Sequence, residues 1–226
     1  MRIAALYDIQ ANLPALEAAL REVRRAGADK VVVGGNVAAG PLPVETLGIL
    51  MALGDWATVV AGPLDAAVVS CYDLLMAKKA AEAAPFGPVV RWAAERVTGH
   101  QRDYLAHLEH DVRFLSEDLG EIFFCHALDG EGEPPHRPPA HARLIVAGDG
   151  HRQGEEHIAG HHVVRPGSVG TSSEGAAACW LMLSDHVDLR RTGYDADAAV
   201  RRVLRSGMPG AQAWAEQNIR GRAARS

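Results

Sequence analysis

The side chains that could do chemistry sit in a series of short loops. Asp8 follows the apolar run Ile3 to Leu6 and precedes a helix start at Asn12. Its carboxylate therefore stands at the carboxyl end of a strand, where α/β proteins concentrate function and where it could hold a metal ion. Similar loops recur at Gly34-Gly35-Asn36, Gly62-Pro63-Leu64, Cys125-His126 and Gly148-Asp149-Gly150-His151. Their glycines can take positive φ and let a ligand approach backbone N–H groups, which makes Gly35, Gly62 and Gly150 candidate phosphate contacts. The simpler account, that the fold needs these glycines for tight turns, is favoured. Ser168 lacks a nucleophile-elbow pattern and reads as a turn residue. His157, His161 and His162 flank Ala159-Gly160 as a polar hairpin, and His100, His107 and His110 read as solvated.

The elements that must position these loops follow from periodicity. Ile3 to Leu6 and Lys30 to Val33 are short apolar runs, and between them Leu13, Leu16, Leu20 and Val23 share one face of a helix capped by Asn12 and stopped near Gly27. A second unit places a helix over Val44 to Leu53 and an extended run over Trp56 to Val60. Two such crossovers predict an α/β fold with parallel strands. Residues from Asp65 to about 110 read as a helical insertion broken at Pro85-Phe86-Gly87-Pro88, with Thr98 as a further cap. Strands are predicted at Val112 to Leu115, Glu121 to Cys125, Leu144 to Ala147, His161 to Val164, Cys179 to Leu183 and His186 to Leu189. Asp195 to Ser206 reads as a helix, and about 215–226, rich in Arg, Gly and Ala, as a frayed end. The Pro-rich stretch Asp129 to His141, with His136 and His141, reads as a solvated connector.

A chain of 226 residues, 48% apolar and 23% charged, can bury a substantial core as a single domain spanning 1–226. A net charge of −5 and a pI near 6.1 supply no general attraction to nucleic acid or to an anionic membrane. No apolar run approaches the roughly 18 residues of a membrane span, and the start lacks a signal-peptide layout, so the expected compartment is the cytoplasm. Cys71, Cys125 and Cys179 are widely separated and are expected to be reduced.

At these loops the chain resembles the calcineurin-like metallophosphoesterases, in particular the small bacterial phosphodiesterase-type members, over nearly its whole length. Asp8-Ile9-Gln10-Ala11-Asn12-Leu13-Pro14-Ala15-Leu16 follows the family's opening motif with Gln10 in place of histidine. Gly35-Asn36 stands for Gly-Asp, Gly62-Pro63-Leu64 for Gly-Asn-His, and Gly148-Asp149-Gly150-His151 for Gly-His-x-His. His126 matches the isolated histidine, and Arg165-Pro166-Gly167-Ser168-Val169-Gly170 is similar to a turn common in the group. The resemblance implies a four-layer α/β/β/α sandwich, two central sheets packed face to face and flanked by helices.

It also implies where two metal ions, about 3.5–4 Å apart, would clamp a phosphate. One would lie at the positions of Asp8, Gln10, Asn36 and His151, the other at Asn36, Pro63, His126 and Asp149, with Leu64 at the substrate-contacting histidine. Gln10 offers only a neutral oxygen, Asn36 lacks the charge of a bridging carboxylate, Pro63 has no side-chain donor, and Leu64 cannot move a proton. The expectation is therefore a degenerate dinuclear site, with no tightly bound metal, phosphoesterase activity lost or greatly reduced, and action through a phosphate or nucleotide ligand or an unidentified protein partner. The phosphoesterase-like subunit of retromer uses such a fold as a scaffold. The first alternative is a phosphodiesterase or phosphatase with one ion, Mn, Fe or Zn, held by Asp8, His126, Asp149 and His151. The second is a metal-free phosphate or nucleotide sensor built on the glycine loops.

Overall fold

The computed structural model describes residues 1–128, 138–148, 150–172 and 175–221. His136 and Asp149, both singled out from the sequence, lie outside the described residues. Two five-stranded mixed sheets pack face to face, flanked by helices. The first has the order β10-β9-β1-β2-β3, with β1 Ile3–Leu6, β2 Lys30–Val33, β3 Ala57–Val59, β9 Ala177–Leu183 and β10 Val187–Gly193. β1, β2 and β3 run parallel, and β9 turns the sheet antiparallel by pairing Leu183 with Ile3 and Leu181 with Ala5. The second sheet has the order β4-β5-β6-β8-β7, built from β4 Asp111–Ser116, β5 Gly120–Cys125, β6 Leu144–Ala147, β7 Gln153–Ile158 and β8 His161–Pro166.

Strand alternation divides the core. Ile3, Ala5, Tyr7, Val32, Leu181 and Leu183 meet Ile122, Phe124, Leu144, Val146 and Val164 between the sheets. The alternate residues of the first sheet, Ala4, Leu6, Val31, Val33, Trp180 and Met182, pack against Leu16, Leu20 and Val23 of α1, Leu13–Arg25. Asn12 caps α1 by accepting from Ala15 N, as its sequence position predicts. The buried Tyr7 hydroxyl lies 3.0 Å from Cys125 O and 2.9 Å from Val146 O, so it ties the ends of the two sheets together. Burial holds its pKa well above the ordinary value, so the phenol keeps the proton it donates.

The second crossover carries α2, Pro43–Ala52, and the stretch that follows β3 is helical, with α3 Pro63–Met76, α4 Ala80–Ala83, α5 Pro88–Ala94 and α6 Gly99–Ala106. Thr98 and Gln101 form a reciprocal cap at α6. Two elements correct the sequence reading. β7 forms the outer arm of the histidine hairpin, where its charged residues conceal a strand that is largely exposed. Beyond α7, Ala196–Arg205, a further helix, α8, Ala211–Asn218, runs into the start of the stretch expected to fray, because Trp214, Ala215 and Ile219 bury their apolar surface against Val200, Val203 and Met208; residues 222–226 lie outside the described residues. The three cysteines are free. Among the described residues no helix is long and apolar enough to cross a membrane.

Candidate functional site

The loops after β1, β2, β3, β5 and β6 converge at one end of the paired sheets. They are stitched together by main-chain bonds: Asp8 N, Gln10 N and Ala11 N donate to Gly35 O, Asn36 O and Val37 O, and Gly148 N donates to His126 O. Asp8, Gln10, Ala11, Asn36 and His151 all have φ between 48° and 59°. Left-handed backbone at residues with side chains costs energy, and its concentration at one pole marks a place where geometry is over-determined by its surroundings. Gly35 and Gly62 serve the crossing of two of these loops. A Cβ on Gly35 would lie 2.7 Å from Gly62 N, and one on Gly62 would lie 2.4 Å from Asn36 N.

Asn36 is the hub. Its Nδ2 donates to Asp8 Oδ1 at 3.0 Å and lies 3.0 Å from His126 Nε2, and its Oδ1 accepts from Leu64 N at 3.0 Å. His126 Nδ1 is 2.6 Å from Gly34 O, an acceptor, so Nδ1 carries the proton and Nε2 accepts from Asn36. Both protons of one neutral amide are thus spent on the carboxylate and the imidazole. Asp8 is 3% exposed and Asn36 is 7% exposed, so the carboxylate and the amide are shielded from water, while His126 is half-buried.

On the other side of Asp8, His151 Nε2 lies 3.8 Å from Oδ1 and 3.3 Å from the Gln10 amide. Thr171 Oγ1 is 2.7 Å from the other end of that amide and 2.9 Å from Asn218 Oδ1, while Asn218 Nδ2 is held by Trp214 O. A single hydroxyl proton cannot serve two amide oxygens. The network closes when the Gln10 amide nitrogen donates to Thr171, Thr171 donates to Asn218, and Gln10 oxygen accepts from a proton on His151 Nε2. Replacing Thr171 with valine is expected to cost about 1 kcal/mol in urea unfolding, because it removes both links between the β1 loop and α8.

Asp65, which the sequence reading passed over, holds the pole in shape. It is fully buried and accepts from Val37 N at 2.8 Å, Ala38 N at 3.1 Å and Gly62 N at 3.1 Å. One carboxylate therefore clamps the loop after β2 to the loop after β3. Burial pushes its pKa above the ordinary value, against the pull of the three amides. Its sequence signal is its place three residues after the α3 cap, where an acidic residue commonly accepts from the cap N–H.

Structure thus brings together Asp8, Gln10, Asn36, His126 and His151 at this pole. Pro63 and Leu64 open α3, where Leu64 is half-buried beside the main core and its N–H donates to Asn36 Oδ1. Gly62 N–H is already committed to Asp65, and Gly150 faces open space. Among the described residues, no group of three or more His, Cys, Asp or Glu side chains is arranged to hold a metal ion. The side chains at the expected dinuclear positions fit a pair of divalent ions poorly. Among the described residues they supply one carboxylate, Asp8, and two imidazoles, His126 and His151, and the shared position carries an uncharged amide that presents N–H groups to both neighbours.

No family model matches the chain, and no curated protein is detectably similar to it in sequence. Solved structures are similar in fold. A hypothetical protein from Pyrococcus horikoshii OT3 superposes with a TM-score of 0.77 at 19% identity, over 99% of each chain. A metallophosphoesterase from Sphaerobacter thermophilus does so with a TM-score of 0.67 at 19% identity, over 95% of this chain and 96% of that one. Yfce, a phosphoesterase from E. coli, gives 0.56 at 19% identity, over 86% of this chain and all of that one. With its paired mixed sheets and the loops gathered at one end, the chain has the metallophosphoesterase fold.

Proposed function

We propose that this protein keeps the metallophosphoesterase fold without its dinuclear chemistry, and that it acts by binding a phosphate-bearing ligand or a protein partner at the loop pole. The observation that carries this reading is the Asn36 amide. Its nitrogen stands between Asp8 and His126, donating to the lone pairs with which two cations would have to be held. An amide cannot change sign to become a bridging anion. Bringing divalent ions here would leave buried N–H groups facing cations, a repulsive arrangement in a site with little water to screen it.

The alternative is a single-metal phosphodiesterase or phosphatase using Mn, Fe or Zn. One observation favours it: the His126 Nδ1–H bond to Gly34 O leaves Nε2 aimed into the site, the orientation in which a backbone carbonyl supports a metal-binding imidazole. A phosphate sensor built on the glycines is less favoured, since Gly62 N–H already serves Asp65. Metal content after incubation with manganese, together with hydrolysis of bis(p-nitrophenyl) phosphate, separates these readings. The expected result is turnover no greater than that of an Asp8→Ala variant. Stoichiometric metal, with turnover abolished by Asp8→Ala, would overturn the non-catalytic reading in favour of the single-ion enzyme.

A further inference from the structure

The far end of the sheets carries a cavity, away from the loop pole around Asn36. Leu183 pairs with Ile3, so the turn between β9 and β10 lies at the amino end of β1, opposite Asp8. Likewise Leu144 opens β6, whose other end runs toward Gly148 and His151. Between these turns lies a cavity of about 390 Å³, open to solvent and contributed to by both sheets. That volume falls within the range of small-molecule sites, which combine an apolar lining with a few placed polar groups.

Leu119, Leu144 and Val187 give the cavity its apolar lining, and Arg143, Glu155, His162 and His186 its polar groups. The polar groups are not equivalent. Glu155 Oε2 lies 2.9 Å from His162 Nε2, so this carboxylate is already engaged. The His162 ring stacks on His157 at 5.0 Å between centroids and 7° between planes, which fixes its orientation. His186 Nδ1 lies 2.7 Å from Asp185 Oδ1, an interaction that leaves Nε2 available. Arg143 is exposed, and among the described residues its guanidinium makes no ion pair, in contrast to the paired Arg102, Arg190, Arg202 and Arg220. The cavity therefore offers one unused planar cation beside an apolar wall.

A guanidinium presents two parallel N–H groups that match a carboxylate. The apolar wall requires that the rest of the ligand be hydrophobic. Glu155 at the same rim repels a second negative charge, which selects a monoanion over a phosphate dianion. We propose that this cavity binds a small monoanionic carboxylate with an apolar body, its carboxylate on Arg143 and its body against Leu119, Leu144 and Val187.

The test is a titration of the 15N-labelled full chain with sodium benzoate, followed by amide chemical shifts, with sodium chloride and inorganic phosphate at matched ionic strength as comparisons. Benzoate is expected to give saturable shifts centred on Leu144, His162 and Val187, with a Kd of about 1 mM. Arg143→Gln, a surface change whose own spectrum reports that the fold is intact, should weaken binding at least about tenfold, the loss of one charge-assisted pair. The proposal is overturned by an absence of saturable shifts, by unchanged affinity in folded Arg143→Gln, or by inorganic phosphate producing equal shifts at the same residues. Shifts confined to Asp8, Asn36 and His126 would also overturn it, by placing the anion at the opposite pole.

Discussion

Replacing Asp65 with alanine is expected to destabilise the protein by about 4 kcal/mol, which for a chain of this size lowers Tm by roughly 8–16 °C. The substitution strips the acceptor from Val37 N, Ala38 N and Gly62 N at once. None of these can recover the bond from bulk water without opening the loops, because the carboxylate they share is fully buried. Differential scanning calorimetry measures the effect, and a loss of less than about 1 kcal/mol would mean that the clamp is dispensable. The charge has a pH signature as well. Since burial raises the native pKa above 3.8, the folded chain holds this proton to higher pH than the unfolded chain does. Asp65 is therefore least costly below pH 3.8, and its contribution falls as pH rises from 3.8 through the native value. An Asp65→Asn variant should lack that part of the pH dependence.

The second large effect belongs to Asn36. Asn36→Ala is expected to cost about 3 kcal/mol, because buried Asp8 and half-buried His126 and Leu64 N each lose a partner. The alanine must also hold a φ of 52°, which asparagine tolerates better. Asn36→Asp is the more informative change. It sets two carboxylates about 3 Å apart, at a spacing now taken by the amide bond to Asp8. In the presence of chelator that variant should be less stable than the parent by about 2–3 kcal/mol, and manganese should restore much of the loss by binding only the folded form. The parent should show no such metal-dependent shift in Tm. A parent protein stabilised by manganese as strongly as Asn36→Asp would contradict the role given to the amide.

Much of this architecture was legible because short apolar runs alternate with amphipathic stretches. Ile3 to Leu6, Lys30 to Val33 and Leu144 to Ala147 are bounded by loop residues and can only be buried strands. That Asp8, Asn36, His126 and His151 lie in loops beyond strand ends was readable from the sequence, because each follows a short apolar run. What escaped was decided by tertiary contacts. β7 is largely exposed, with three charged or imidazole side chains in succession, and its strand character comes from pairing with β8 rather than from its own pattern. α8 reads as a polar tail until Trp214 and Ile219 find Val200 and Met208 across a turn. Asp65 and the chain from Gln10 through Thr171 to Asn218 join residues up to 161 positions apart. No local pattern reports that pairing.

The role assigned to Asn36 is tested most directly by anomalous diffraction from crystals of the unmodified protein soaked in manganese. The account predicts no pair of ordered ions among Asp8, Asn36, His126 and His151, with Asn36 Nδ2 still within hydrogen-bond distance of both Asp8 and His126. Two well-occupied manganese peaks about 3.5–4 Å apart, with the Asn36 side chain turned to bridge them through its oxygen, would contradict it.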